Sequence, residues 1–471
     1  TRKESSAASD VYKRQGNRSS TSPGHELSAN YIAQQLLQAG YKVEFSPYTY
    51  EKFVQTGPGV FEILEETPLN YEEGSDFNVM PYSPSGNISG TIMPVDLDLG
   101  LDNQSSSACE AEDFNESHKG KIALIQRGKC SFNQKAQNAL NAGAIAVIIF
   151  NQGDTEARKE LFGGTLGNES KVGISVITTG YELGEKLSKD LNQKLRIETI
   201  TAIESSVSYN VIAETEAGDP NNVVMIGSHL DGVQEGPGIN DNGSGSAGIL
   251  SVALKMANLE VNNKVRFAWW GSEELGLIGS TEYVKALSEK EKSDIALYLN
   301  FDMIASPNYM IGVFDGNASL TDYKAPKGSF AIEQLFRMYF GINGQSHIEI
   351  ESSGRSDYAA FAEVNIPYGG LFTGAESNKT EEQAVLFGGE AGVPFDSCYH
   401  KECDNIENLS LEALEINVNA IAFMALSFAH STHSVQAEID APDMPVLGAA
   451  NPNDGSVASD IGHDNHEPEK K

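Results

Sequence analysis

Basic residues are scarce in this sequence of 471 residues: 33 lysines and arginines face 66 aspartates and glutamates, which gives a formal net charge of −33. Such an acidic chain is repelled by the phosphates of nucleic acids and by anionic membrane surfaces, so neither is an expected partner. Uninterrupted apolar runs are also short, and none approaches the roughly 18–20 residues of a membrane-spanning helix. The composition therefore predicts a soluble, globular protein, but charge alone does not identify its substrate.

Cysteine is rare too, with four residues in two local pairs, Cys109 with Cys130 and Cys398 with Cys403. Neither pair has the two-residue spacing of many structural zinc sites, so we do not expect these cysteines to bind zinc. An even number in local pairs favours two disulfide bonds and a secreted or periplasmic location. The alternative is four unpaired thiols in a cytosolic enzyme.

The length exceeds that of one ordinary domain and allows two sizeable cores. Residues 1–15 are interpreted as a non-native leader, because the chain starts at Thr1 and the stretch resembles translated sequencing-adapter sequence. After residue 433 the chain becomes acidic and gains prolines, so residues 434–471 are predicted to form a disordered tail. The sequence does not indicate an oligomeric state, so we expect a monomer.

The middle of the chain contains a strand–turn–helix–strand pattern. A strand is predicted at 121–125, a helix at 132–142 and a second strand at 144–150. The residues Gly120-Lys121-Ile122-Ala123-Leu124-Ile125-Gln126-Arg127-Gly128-Lys129-Cys130-Ser131-Phe132, followed by Ala142-Gly143-Ala144, resemble the protease-associated domain, a small β-rich module inserted in many secreted peptidases. The resemblance implies an insertion over 51–204, with its core at about 85–190. The alternative is a generic βαβ unit of the main sheet.

The flanking segments show the alternation of an α/β domain. We predict strands at 41–45, 222–227, 265–270, 295–301 and 366–372, and helices at 23–40, 244–259 and 411–429. Residues 16–50 and 205–433 are therefore expected to fold together as one catalytic domain.

Residue types that bind metals follow three of these predicted strands, namely His229, Asp231, Glu273, Glu274 and Asp302. Asp241 and His400, elsewhere in the chain, complete the set. Functional groups gather at the carboxyl ends of strands in an open α/β sheet. Each residue alone has an ordinary structural interpretation, such as a turn or a helix cap. Together they predict a metal centre.

Two imidazoles and several carboxylates suit a pair of zinc ions, which need terminal ligands on each ion and a carboxylate shared between them. Asp241 is the predicted bridge, and the predicted terminal ligands are His229, Asp302, Glu274 and His400. Asp231 is then expected to accept the other ring N–H of His229. Glu273 remains unligated, in the position of a general base.

Five segments carry a second resemblance, to the bacterial leucyl aminopeptidases, which are secreted exopeptidases with two zinc ions. The segments are His229-Leu230-Asp231-Gly232-Val233-Gln234-Glu235-Gly236-Pro237-Gly238-Ile239-Asn240-Asp241-Asn242-Gly243-Ser244-Gly245, Phe267-Ala268-Trp269-Trp270-Gly271-Ser272-Glu273-Glu274-Leu275-Gly276-Leu277-Ile278-Gly279-Ser280, Leu299-Asn300-Phe301-Asp302-Met303, Gly354-Arg355-Ser356-Asp357 and Cys398-Tyr399-His400. The resemblance implies a zinc exopeptidase fold, a mixed and mostly parallel sheet with helices on both faces.

The same resemblance implies roles for the site residues. His229 and Asp302 would bind one zinc, Glu274 and His400 the other, and Asp241 both, in agreement with the assignment above. It also implies an oxyanion-stabilising hydroxyl at Tyr399, a Cys398–Cys403 bridge around it, and a binding surface for the substrate amine near Arg355. Asn242 departs from the family, which often has Asp there, and a cis peptide bond often follows the bridging carboxylate.

These observations predict a secreted aminopeptidase that acts on peptides with a free N-terminus and releases their N-terminal residues, preferably hydrophobic ones. The expected mechanism uses a metal-activated water with Glu273 as the base. Two enzyme alternatives share the scaffold. A glutaminyl cyclase would use one metal, which the retained His229 argues against, and a carboxypeptidase would need more basic residues than Arg355. A non-catalytic, receptor-like binding protein would be expected to have lost metal ligands, whereas this sequence retains all five predicted ligands and Glu273.

Overall fold

The computed structural model describes residues 16–442 apart from residues 21, 66–67, 168–169, 321–322 and 324, and these residues form two eight-stranded sheets. The strands are β1 (Lys42–Gln55), β2 (Val60–Ile63), β3 (Leu69–Tyr71), β4 (Phe77–Val79), β5 (Gly86–Val95), β6 (Ile122–Gln126), β7 (Ala146–Phe150), β8 (Ser175–Thr179), β9 (Lys194–Thr199), β10 (Thr201–Glu214), β11 (Asp219–His229), β12 (Asn263–Trp270), β13 (Ile295–Phe301), β14 (Gly312–Phe314), β15 (Ile348–Ile350) and β16 (Tyr368–Phe372). The helices are α1 (Pro23–Gln38), α2 (Phe132–Asn141), α3 (Tyr181–Ser188), α4 (Gly245–Met256), α5 (Ile278–Ala286), α6 (Glu289–Asp294), α7 (Ser329–Ile342), α8 (Tyr358–Glu363), α9 (Glu381–Phe387), α10 (Leu411–His430) and α11 (His433–Asp440).

The first sheet has the strand order β1-β10-β12-β11-β13-β16-β14-β15. Its four central neighbours, β12, β11, β13 and β16, are parallel. They are flanked by β10 and β14, which run antiparallel to them. The central strands are apolar and almost fully buried, as expected when helices cover both faces of a parallel sheet. The predicted mixed sheet with a parallel centre is confirmed.

Helices cover both faces of this sheet. One face packs against α1, α4, α7 and α10, and the other packs against α5 and α8. By length and composition α10 is apolar enough to cross a membrane, although Glu412 and Glu415 interrupt its apolar residues near its start. Leu414, Ile421 and Phe428 are buried in the core, so α10 serves as the closing helix of the fold.

The second sheet has the order β3-β2-β9-β5-β6-β7-β8-β4 and carries α2 and α3. It contains the predicted strand–helix–strand unit as β6, α2 and β7. The chain enters and leaves this sheet through a ribbon in which β1 and β10 pair along all 14 of their residues. Both strands run across the junctions expected at residues 50 and 205, so the ribbon joins the inserted domain to the catalytic sheet.

The predicted terminal segments have different outcomes. Residues 434–440 belong to helix α11, where Val435 is buried, so the expectation of disorder is wrong for this part. The helix forms because Val435 adds to the apolar core beside α7. The leader 1–15 and residues 443–471 lie outside the described residues.

Candidate metal centre and active site

Three neighbouring parallel strands bring the candidate ligands to one edge of the catalytic sheet. His229 is the last residue of β11, Asp302 directly follows β13, and Glu273 lies three residues after β12. Because these strands are adjacent in the order β12-β11-β13, their carboxyl ends meet. The loop before α4 adds Asp241, and the loop before α10 adds His400. The structure therefore brings together all five residues that the sequence identifies as ligands.

The carboxylate of Asp241 lies between the two histidines. Its Oδ1 is 3.3 Å from Nε2 of His229, and its Oδ2 is 3.1 Å from Nε2 of His400. On one side, Asp302 Oδ1 is 3.1 Å from the same nitrogen of His229. On the other side, Glu274 Oε2 is 3.0 Å from the same nitrogen of His400. The site thus has two halves that share Asp241.

These donors fit divalent metal ions of the zinc type. Zinc binds nitrogen and oxygen ligands at about 2.0–2.2 Å in a tetrahedral arrangement, which places neighbouring ligand atoms about 3.3 Å apart. The separations of 3.0–3.3 Å between the paired ligand atoms match this requirement. In addition, Oε1 of Glu274 is buried without a hydrogen-bond partner among the described residues. A cation at this position would satisfy it.

Glu273 stands slightly apart from the ligands. Its Oε2 is 3.9 Å from Nε2 of His229, farther than the oxygens of Asp241 and Asp302. It belongs to a compact group with His229 and Asp302, so a carboxylate is available beside one half of the centre. Glu273 is therefore farther from His229 than Asp241 and Asp302 are, but it remains beside this half of the centre.

The loop that carries Asp241 is fixed by a carboxylate that the sequence analysis did not single out. Asp404 accepts hydrogen bonds from the backbone N–H groups of Asn240 at 2.8 Å and Asp241 at 3.0 Å. The peptide bond from Asp241 to Asn242 is cis, as the family resemblance led us to expect. Asp404 was available to sequence reasoning, because it directly follows Cys403 in the segment of His400.

The loop with His400 is held by its own disulfide. Cys398 and Cys403 are bonded, and His400 between them has a positive φ of 56°. The ring of Tyr399 stacks on the imidazole of His400 with 3.9 Å between ring centroids. The second predicted pair, Cys109 and Cys130, is also bonded. The disulfides are therefore formed as predicted, and the short one surrounds a ligand.

Asp231 does not hold His229 in the way we predicted. The ring atom Nδ1 of His229 lies 3.2 Å from the backbone carbonyl oxygen of Asp231 and 3.8 Å from its carboxylate. The carboxylate instead accepts the N–H of Glu273 at 3.1 Å and that of Glu274 at 3.4 Å. The carbonyl fixes the imidazole, and the carboxylate orients the two glutamates.

Charge is concentrated at this buried edge of the sheet. Burial lowers the pKa of His229, but the carboxylates of Asp302 and Glu273 outweigh burial and hold this pKa well above its ordinary value. Burial also opposes the proton on His400, yet contacts with Asp241 and Glu274 raise its pKa to about 10. Burial raises the pKa of Glu273 well above that of an ordinary glutamate, with His229 acting against it. The glutamate is therefore a stronger base than one in water.

A cavity of about 240 Å³ opens beside the centre. Its apolar lining consists of Met303, Phe314, Tyr358, Phe372 and Ala375, and its polar lining consists of Asp241, Glu273, Glu274, Asp302, Glu351, Ser353, Arg355, Ser356, Glu376, Ser377 and Tyr399. The guanidinium of Arg355 contacts Glu376 at 3.2 Å rather than a ligand. The cavity thus offers an apolar wall next to a negatively charged floor.

Ser356, the neighbour of Arg355 in the sequence, contacts a candidate ligand, which the sequence did not predict. Its hydroxyl donates a hydrogen bond to Oδ2 of Asp302 at 2.7 Å and accepts one from Asn300 at 2.9 Å. This leaves Oδ1 of Asp302 turned toward His229. Of these two adjacent residues, Arg355 therefore lines the cavity, and Ser356 orients the candidate ligand Asp302.

Comparison with protein families gives two matches. Peptidase family M28 matches residues 210–425, which include every candidate ligand. The PA domain matches residues 89–187, within the second sheet.

Individual relatives agree with these matches. The chain is 48% identical over 426 residues to an aminopeptidase of Pseudomonas aeruginosa, covering 90% of this chain and 80% of that protein. It is 40% identical over 411 residues to leucine aminopeptidase 2 of Trichophyton equinum, covering 87% and 79% respectively.

Solved structures show the same architecture. An aminopeptidase from Aneurinibacillus sp. strain AM-1 superimposes with a TM-score of 0.70 at 26% identity, over 90% of this chain and 93% of that one. A zinc aminopeptidase from Bacillus subtilis shares the fold, with a TM-score of 0.67 at 24% identity over 90% and 94%. This chain belongs to peptidase family M28, as an aminopeptidase with a PA domain inserted in its catalytic domain.

Proposed function

We propose that the enzyme uses two zinc ions to release N-terminal residues, preferably hydrophobic ones, from peptides. The observation that carries the proposal is the position of the Asp241 carboxylate, with one oxygen near each histidine. His229 and Asp302 would hold one ion, and Glu274 and His400 would hold the other. Zinc ions in these positions would supply Lewis acidity toward the scissile carbonyl and toward a water molecule.

Glu273 is the proposed general base. Its raised pKa favours uptake of a proton from the attacking water at neutral pH, and its location next to the ligands keeps it close to the reacting atoms. The same carboxyl group then returns the proton to the leaving amine. Tyr399 lines the cavity with its hydroxyl protonated, because burial and the nearby carboxylates of Asp241 and Glu274 raise its pKa. It is the proposed hydrogen-bond donor to the carbonyl oxygen.

The cavity supports recognition of a free N-terminus. Glu273 and Asp302 line it with carboxylates that suit the ammonium group of a substrate, whose burial costs free energy unless it is paired. The apolar wall, which includes Phe314 and Phe372, suits a hydrophobic first side chain. Arg355 also lines the cavity, and its guanidinium forms an ion pair with Glu376.

This pairing also disfavours a carboxypeptidase. Such an enzyme needs a cation for the substrate's terminal carboxylate. Among the described residues that line the cavity, Arg355 is the one cation, and Glu376 already contacts it.

We also propose that the enzyme works outside the cytoplasm, because its four cysteines form two disulfides.

The direct test compares leucyl-anilide with its N-acetyl form, in enzyme whose zinc content has been measured. We expect two zinc ions per chain, loss of activity with a chelator and recovery with zinc. Acetylation should lower kcat/KM by about 10⁴-fold or more, because the carboxylates lose their charged partner. Similar kcat/KM values for both substrates would refute recognition of the free amine, and one zinc per fully active chain would refute the bridge.

A further inference from the structure

Arg18 is a buried arginine that binds the loop between two candidate ligands. Its side chain is 1% exposed, although it lies near the start of the described chain. Its Nε donates to the carbonyl of Leu230 at 3.1 Å and its Nη2 to that of Gly238 at 2.7 Å, while Nη1 donates to Pro237. Leu230 follows His229, and Gly238 precedes Asp241 by three residues. One guanidinium thus holds both ends of the connection between a terminal ligand and the bridge.

The loop packs directly against this guanidinium. The positions that a side-chain carbon would occupy at Gly238 and Gly243 lie 3.6 Å from Nη2 of Arg18, which is van der Waals distance. Gly238 itself must be glycine for a local reason: its φ is 61°, and a side-chain carbon there would lie 2.4 Å from the carbonyl oxygen of Asp241. The tight turn at Gly238 presents its carbonyl group to Arg18, and the buried guanidinium makes three hydrogen bonds to the loop.

The same N-terminal segment also reaches the loop of the proposed base. We call residues 17–20 the N-terminal brace. The hydroxyl of Ser20 accepts a hydrogen bond at 2.6 Å from the backbone N–H of Ser272, which immediately precedes Glu273. Asn17 donates to the carbonyl of Gln234 at 3.1 Å, in the middle of the loop that Arg18 binds. The brace therefore fixes two of the loops that carry the active site.

Arg18 is also a buried positive charge behind a cluster of carboxylates. Within the described part of the chain its hydrogen bonds go to carbonyl groups, and no carboxylate there bonds to it directly. Burial lowers its pKa, and the carboxylates of Asp404, Asp231, Asp241 and Glu274 act against this at longer range. A cation in this position offsets part of the electrostatic repulsion among the acidic groups of the centre.

We propose that Arg18 is a positioning residue of the metal centre: it sets the loop from Leu230 to Gly238 so that His229 and Asp241 can bind the same ion. The inference rests on the proposed two-metal function, because it concerns the geometry of those ligands. Outer residues that orient metal ligands typically contribute 10- to 100-fold to metal affinity or activity. A role of this kind predicts a specific loss of zinc affinity when Arg18 is replaced.

The test measures zinc affinity and stoichiometry by chelator competition in the full-length wild type, Arg18→Met and Arg18→Lys. We expect Arg18→Met to bind at least one zinc roughly 10- to 100-fold more weakly, with excess zinc restoring most of the turnover. Lysine offers one ammonium group and cannot reach all three carbonyls, so Arg18→Lys should also bind zinc more weakly than the wild type. Its single cation should make the loss smaller than for methionine.

Arg266→Met is the matched control, because Arg266 is a partly buried arginine paired with Glu214 away from the ligands. Melting temperatures measured with and without zinc distinguish a specific effect of the Arg18 substitution on the metal centre from a general loss of stability. In Arg18→Met the rise on adding zinc should shrink, whereas in the control it should equal that of the wild type. Wild-type zinc affinity in Arg18→Met, or in Arg18→Lys if the methionine variant does not fold, would overturn the proposal. Failure of the wild type itself to bind two zinc ions would instead refute the proposed function.

Discussion

The carboxylate oxygen Oδ1 of Asp231 lies 3.1 Å from the backbone nitrogen of Glu273 and accepts its hydrogen bond. This contact connects the end of β11 to the turn after β12, so the loop that follows one ligand orients the proposed base. The second oxygen of the same carboxylate is 3.4 Å from the nitrogen of Glu274, a proposed ligand. Asp231 therefore orients two adjacent glutamates for which we propose different roles.

Replacement of Asp231 by asparagine should test this role. The amide keeps the size of the side chain but replaces one acceptor oxygen with a donor, so one of the two N–H groups loses its partner. We expect kcat to fall by roughly 10- to 100-fold, the range for residues that orient catalytic or metal-binding groups. Steady-state kinetics and zinc analysis on one preparation would show it. Unchanged kcat in a folded variant would mean that the glutamates are held by other contacts.

Replacement of Glu273 by glutamine should remove the base and leave the metals. Glutamine preserves the shape of the side chain but takes up no proton at neutral pH, so kcat should fall by about 10²- to 10⁴-fold with zinc content unchanged. The matched control is Glu274→Gln, because Glu274 is adjacent in sequence but lies 3.0 Å from His400 as a ligand. That variant should lose zinc. If the two results were reversed, the roles of the two glutamates would have to be exchanged.

The ligand set was predictable because parallel strands end at a common edge. His229, Glu274 and Asp302 each follow an apolar strand that the sequence shows clearly, and the order β12-β11-β13 brings the three ends together. Residue type and strand position therefore predict these three residues, whereas Asp241 and His400 lie in loops and were assigned from their residue types together with the family resemblance.

Arg18 lacks any such signal. It is 212–220 residues from its three partners, and those partners are backbone carbonyls, which every residue has. No pattern of side chains in the sequence identifies a contact of this kind.

Asp231 shows a second limit of the sequence. Its position two residues after His229 correctly predicted a contact with the imidazole, but not which oxygen makes it. The turn after β11 points the carbonyl at the ring and the carboxylate at the next loop. Helix α11 shows a similar limit. The composition of this segment indicated disorder, whereas burial of Val435 and a hydrogen bond from the N–H of Ala331 to Glu438 attach the helix to α7.

Zinc uptake by the metal-free enzyme should release protons. Contacts with carboxylates raise the pKa of His400 to about 10 against the effect of burial, and they hold the pKa of His229 well above its ordinary value. Both imidazoles are then protonated at pH 7 and must lose a proton to bind a metal. The two imidazoles should release about two protons per chain, and the carboxyl groups of Glu273 and Glu274, whose pKa values are raised by burial, should add to this number. Zinc should bind more weakly as the pH falls below about 10.

Titration calorimetry in buffers with different ionisation enthalpies gives the number of protons. His400→Ala is the control, and it should reduce that number by about one while weakening the second zinc. A proton release near zero at pH 7 in the wild type would show that the imidazoles are already neutral in the metal-free enzyme.

The two disulfides should have separable effects. Cys109 and Cys130 lie 21 residues apart in the inserted domain, and closing a loop of this size contributes about 3 kcal/mol in the chain-entropy model. Cys398 and Cys403 are only five residues apart and surround Tyr399 and His400. Replacing the first pair by serine should therefore lower stability, and replacing the second should mainly lower activity.

Melting curves and kcat measured for both double variants distinguish these effects. The Cys398→Ser, Cys403→Ser variant should lose roughly 10- to 100-fold in kcat, because small displacements of reacting groups have effects of this size. The Cys109→Ser, Cys130→Ser variant should keep its kcat at temperatures where it remains folded, since its bridge contacts no candidate ligand among the described residues. Thiol titration of the denatured, unreduced wild type should detect no free thiol. Four titratable thiols would contradict both bridges and remove the argument for a location outside the cytoplasm.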